Sequence, residues 1–162
     1  MISLTREMPT SPLSRLLDVS KVLANRARLR ILATLEGNEL CVGQVAAIFD
    51  IARSTASEHL SALRRVGLVG ERRDGRFVYY SLAADEHARK FSDVVLAELS
   101  ADAAVRKDRD LTVRILALPH DLVCEQGRAA LLAPISPAAT AADPDSPSCS
   151  ASLPKTDPQE AP

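Results

Sequence analysis

Three sets of residues in this chain have types and spacings that could do chemistry. The first is sulfur. Cys41, Cys124 and Cys149 are widely spaced and odd in number, which argues against a secreted disulfide framework and for reduced thiols in a cytosolic protein. Cys41 opens NELCVGQVAAIFD, which reads as an amphipathic helix from Leu40 to about Phe49. A helix start, with its dipole and free amide groups, favours thiolate over thiol. The second set is a hydroxyl-rich run, ARSTASEHLSALRRVG. Ser54, Ser57, Glu58 and Ser61 recur at the three-and-four spacing of one helical face, with Arg53 and Thr55 at the start and His59 alongside. Small hydroxyl side chains let a helix sit deep in the major groove and bond base edges or phosphates, and Glu58 can accept a bond from a cytosine amino group. The third set is Arg72, Arg73 and Arg76, crowded around Asp74-Gly75. Arginines at such a tip suit contact with a DNA backbone or minor groove. No motif places a histidine near Cys41 and no Gly-rich phosphate loop is present, so the chain does not read as an enzyme and implies no organic cofactor.

The elements that must hold these groups follow from periodicity and caps. SPLSRLLDVSKVLA is helical, with Ser11 as cap and Pro12 in the first turn. NRARLRILATLEG follows, capped by Asn25, striped by Leu29, Leu32 and Leu35, and stopped by Gly37. The cysteine-led helix is third. The hydroxyl-rich helix is fourth, with Ala56, Leu60 and Leu63 inward and Gly67 at its end. LVGERRDGRFVYYSL carries two β-prone runs around Asp74-Gly75, a hairpin. DEHARKFSDVVLAELS, with Phe91, Val95 and Leu99 in line, and DAAVRKDRDLTVRILAL are helical until Pro119. The expected fold is mainly α with a β-hairpin wing: a dimeric winged helix-turn-helix over residues 1–132. Residues 133–162 hold seven of the ten prolines and read as a disordered Pro/Ala/Ser-rich tail.

Charge agrees with a nucleic-acid partner. The net charge is −1, yet between Ile51 and Leu82 six arginines face three acids. One basic segment in a near-neutral chain suits a defined contact surface rather than a sticky polycation. No apolar run approaches the roughly 18 residues of a membrane span, and the N-terminal stretch lacks the pattern of a signal peptide.

LANRARLRILATL, ELCVGQVAAIF, STASEHLSALRRVGLV and RRDGRFVYYSL together resemble the ArsR/SmtB family of small dimeric bacterial repressors, from about Leu16 to Leu99. The S-x-H-L of Ser57 to Leu60 and the G-R-x-V-Y-Y of Gly75 to Tyr80 are typical of it. The resemblance implies a homodimer joined through the first and fifth helices, operator binding at rest and release by an inducer. Ala52 departs from the family's capping serine, so the cap shifts to Ser54 or is lost.

The resemblance also frames where an inducer would bind. The family's zinc-type site on the fifth helix corresponds here to Asp85, His87, Glu98 and Ala101, with the second imidazole replaced and the fourth ligand missing. A zinc or cadmium site there is therefore a weak alternative. Arsenic-sensing members begin the third helix with E-L-C-V-C-D; here it is E-L-C-V-G-Q, with Cys41 kept and Gly43 replacing the second thiol. Trivalent arsenic and antimony seek two or three thiolates. Cys124 could supply the missing sulfur, and Cys149 a third. Trivalent arsenic or antimony at Cys41 and Cys124 is the expected inducer. Oxidation or persulfide bridging of the same thiols is the alternative.

Overall fold

A computed structural model describes residues 11–132 of the chain. In order, its elements are α1 (Pro12–Leu23), α2 (Arg26–Thr34), β1 (Leu40–Cys41), α3 (Val42–Phe49), α4 (Arg53–Arg65), β2 (Val69–Asp74), β3 (Phe77–Leu82), α5 (Glu86–Leu99), α6 (Ala103–Leu116), α7 (His120–Gln126) and α8 (Arg128–Leu132). The three strands form an antiparallel sheet in the order β1-β3-β2. Helix pair α3–α4 followed by the β2–β3 hairpin is a winged helix-turn-helix, as the sequence suggests.

The local signals act as expected. Ser11 Oγ accepts from the Ser14 amide and Asn25 Oδ1 from the Arg28 amide. Ala52 occupies the N-cap of α4 without a side-chain bond, so the cap is lost rather than moved to Ser54. Ala56, Leu60 and Leu63 are fully buried and seat α4 on the core that α2 and α3 build with Ile31, Leu32, Leu35, Val45 and Ile48. The hairpin turn falls one residue later than its dipeptide suggests. Asp74 still pairs with Phe77, so the loop is Gly75-Arg76, with Gly75 at φ +55°, as a primed two-residue turn needs.

Three expectations are corrected. Leu40 and Cys41 are not helical: they form a short strand that pairs with Tyr80 and Tyr79 of β3, leaving Cys41 as the N-cap of α3. Nor is α3 amphipathic in its surroundings. Gly43 through Ile48 are all buried, because α6, α7 and α8, as well as α4, pack on α3; a helix apolar all round belongs inside. The chain also does not leave helix for good at Pro119, which caps a further helix, α7. Cys124 is therefore a helical residue.

The C-terminal helices are fastened by charge as well as packing. Arg30 of α2 holds Asp108 of α6 through two bonds of 2.7 Å, Nε to Oδ2 and Nη2 to Oδ1, with Asp108 only 1% exposed. The bond to Asp108 raises the Arg30 pKa further above its ordinary value, although burial opposes it. Arg128 Nη1 donates to the Ala47 and Ile48 carbonyls at 3.2 and 3.1 Å. A cation there meets the orphan carbonyls and the negative end of the α3 dipole. The expected tail at 133–162 and Cys149 lie outside the described residues.

Candidate DNA-binding surface and thiol site

Helix α4 turns a polar face outward. Arg53, Ser54, Glu58 and Ser61 are exposed, while Thr55, Ser57 and His59 are half-buried along the same helix. The face is small and polar, which a groove-inserted helix requires. Arg64 pairs with Glu71 of β2, a link between α4 and the wing.

The wing arginines are not equivalent. Arg72 is tied down: its Nη2 lies 2.8 Å from Glu39 Oε2 and its Nη1 3.2 Å from Asp74 Oδ2, with the guanidinium 5.2 Å from the centre of the Tyr79 ring. The hydrogen bond from Arg72 lowers the Glu39 pKa, and the bond to Glu39 raises that of Arg72. Arg76 pairs with Asp121 of α7 at 3.1 Å and lies over the Phe77 ring. Arg73 is exposed and makes no ion pair or side-chain hydrogen bond among the described residues, which leaves its charge available to a phosphate. Glu39 and Asp121 are functional neighbours that motif reading misses. Asp121 carried a signal, an acid in the first turn after a proline; Glu39 carried none, since its partner lies on a strand 33 residues away.

Cys41 is 4% exposed, at the junction of β1 and α3. Gln44 Oε1 accepts from the Cys41 amide at 2.9 Å, the carboxamide half of a capping box. A Cβ built on Gly43 would stand 3.7 Å from Cys41 Sγ and 3.7 Å from both Cζ and Nη2 of Arg53. The space at Gly43 thus borders both the thiol and Arg53, the first residue of α4. Across the ladder from Cys41 is Tyr79, whose ring lies 5.7 Å from that of His120; the Phe77 and His120 rings meet edge-on at 4.2 Å. His120 begins α7, and Cys124 follows one turn later on that helix, which packs on α3 through the buried Val123. The structure therefore brings the helices of Cys41 and Cys124 together; the Cys124 side chain lies outside the description.

The alternative site on α5 is not assembled within one chain. Asp85 is the N-cap of α5 and its carboxylate accepts from the amides of His87 and Ala88 at 3.1 and 3.2 Å. His87 and Glu98 are exposed, and among the described residues no three His, Cys, Asp or Glu side chains lie close enough to hold a metal.

Comparison with known proteins agrees with this geometry. The family model described as bacterial regulatory protein, arsR family, matches residues 25–71. The HTH-type transcriptional regulator CmtR of Mycobacterium tuberculosis is 41% identical over 99 residues, 61% of this chain and 81% of CmtR. The transcriptional activator HlyU of Vibrio cholerae is 42% identical over 66 residues, 41% of this chain and 61% of HlyU. A solved structure of HlyU superposes with a TM-score of 0.51 at 30% identity, covering 56% of this chain and 97% of that one. The cadmium resistance transcriptional regulatory protein CadC homologue of Staphylococcus aureus is 40% identical over 79 residues, 46% of this chain and 64% of its own. With the reader and wing in place and a relative matched over most of its length, the chain belongs to the ArsR family of bacterial regulatory proteins: it is a DNA-binding transcriptional regulator, not an enzyme.

Proposed function

We propose that the protein is a repressor that binds a double-stranded operator as a homodimer. A thiophilic inducer, trivalent arsenic or antimony, engages Cys41 and Cys124 and releases it. One observation supports this above all. Cys41 begins the helix on which the reader rests, and the helix carrying Cys124 packs on that same α3. Drawing the two thiolates onto one ion moves α7 against the first turn of α3, and α3 cannot shift without tilting α4. The inducer need only bind the DNA-free shape more tightly: a coupling of about 3 kcal/mol changes operator affinity roughly 150-fold. For the homodimer, Leu13, Leu16 and Leu17 of α1 and Val94 of α5 are large apolar side chains left exposed, at 67%, 46%, 50% and 67%, on the helices the family resemblance assigns to the dimer. An apolar patch of this kind is usually an interface.

A second reading has its own support. The Arg53 guanidinium and the Cys41 sulfur both border the space at Gly43, and a fixed positive charge there disfavours a divalent cation by Coulomb repulsion. That favours reactive-sulfur sensing over zinc or cadmium, and leaves arsenite, a neutral acid in solution, unpenalised.

Displacement of a labelled promoter duplex by arsenite, antimonite, zinc, cadmium and a persulfide donor tests the proposal. Release by arsenite and antimonite is expected. Release by the persulfide donor alone would replace the metalloid reading, and release by zinc or cadmium alone would move the site to Asp85, His87 and Glu98.

A further inference from the structure

Helix α7 lies outside the segment that the family model matches, yet it touches the wing at its tip. Three contacts converge there. Asp121 takes Arg76 at 3.1 Å, Phe77 meets the His120 ring at 4.2 Å, and Tyr79 meets the same ring at 5.7 Å. The two residues that start α7 thus hold the turn arginine and two successive outer positions of β3. The far side of α7 is anchored in the core by Val123, and Arg128, just beyond it, grips the last turn of α3. The wing is braced against the body of the protein rather than left to swing.

We propose that α7 is an autoinhibitory brace on the wing: Asp121 holds Arg76 in an ion pair that DNA phosphates must displace, and so sets DNA affinity below what the wing could reach. The inference rests on the proposed contact between wing and DNA. Its logic is competition. Arg76 bears the only charge in the two-residue turn Gly75-Arg76, so it is the arginine that reaches furthest toward a backbone laid along the wing. Its partner is a carboxylate, which repels the phosphates that would claim it. Both side chains are largely exposed, 76% and 73%, so the pair is weak and readily exchanged. A restraint of that size tunes affinity without preventing binding. Because Cys124 lies three residues after Asp121 on α7, a ligand drawn to Cys124 acts on the same brace.

The test is a double-mutant cycle between Asp121→Asn and Arg76→Ala. Affinity is read by anisotropy on a random-sequence duplex of about 30 base pairs, long enough for two half-sites. Asp121→Asn should tighten binding about two- to fivefold, the size of an exposed ion pair, and steepen the log–log salt dependence by up to about one. In the Arg76→Ala background the same substitution should do nothing. Equal tightening in both backgrounds would show general charge repulsion and overturn the brace; no tightening in either would overturn it also. Amide hydrogen exchange across residues 72–78 of the DNA-free protein gives a reading independent of DNA. Asp121→Asn and Arg76→Ala should each speed exchange there, and unchanged exchange would overturn the contact even if DNA binding failed altogether.

Discussion

Gly43 decides what surrounds the Cys41 thiol. The atoms nearest to a Cβ at that position are Cys41 Sγ and two atoms of the Arg53 guanidinium, all at ordinary contact distance, and its backbone is not in the left-handed region. Gly43→Cys should therefore fold normally and place a second sulfur beside the first. A second thiolate held at high effective concentration should tighten arsenite binding by about tenfold or more, measured by calorimetry. Unchanged affinity would show that Cys41 is not a ligand. On the wing, Arg73→Ala should weaken binding to all sequences alike and reduce the salt slope by about one, as for a lost phosphate contact. Arg72→Ala should leave the slope nearly unchanged, since its charge is already shared between Glu39 and Asp74. Equal slopes for the two variants would contradict the division between a bound and an available arginine.

The elements show what sequence can and cannot carry. Caps, stripes and the hairpin dipeptide are local, and α1, α2, α4 and the wing follow from them directly. Misreading came where distant chain segments decide. The run Val42 to Ile48 looks half-polar only because Gly43 and Gln44 interrupt it; its burial also depends on α6 to α8, which begin only at Ala103. Likewise two residues of β1 exist because β3 offers its edge, and nothing within NELCV says so. The helix pair and the hairpin were legible from local signals, whereas the packing of the helix that carries Cys124 against the one that Cys41 begins was not. The Arg30–Asp108 bond gives this layer a test. Asp108→Ala leaves a guanidinium, itself stacked on Phe49, without its buried partner, and should cost about 3 kcal/mol of stability in denaturant unfolding. A cost under about 0.5 kcal/mol, typical of surface substitutions, would mean that α6 is not fastened there. Acid probes the tether between Glu39 and the wing. Glu39 has a lowered pKa because Arg72 bonds its charged form, so the tether is intact above pH 4.5 and is lost as pH falls through the lowered value. Hydrogen exchange in β2 should distinguish Glu39→Gln from wild type at neutral pH, and the difference should vanish in strong acid; a difference that persists there would assign it to packing.

At the scale of the molecule, the proposed mechanism runs through a chain of contacts from sulfur to DNA. Cys41 starts α3, α3 supports α4, and α7 joins α3 to the wing, so one displacement reaches both DNA-binding elements. Two copies joined through α1 and α5 would present two readers, and sedimentation should show a dimer at micromolar concentration that protects an inverted repeat with half-sites about one helical turn apart. A stable monomer that still binds operator would break this part of the account. The most direct measurement of the central claim is operator release by arsenite in Cys41→Ser and Cys124→Ser, followed by anisotropy on the same duplex as wild type. Each variant should bind the duplex as tightly as wild type and fail to release it. Normal release from either variant would contradict the claim that these two thiols are the sensor.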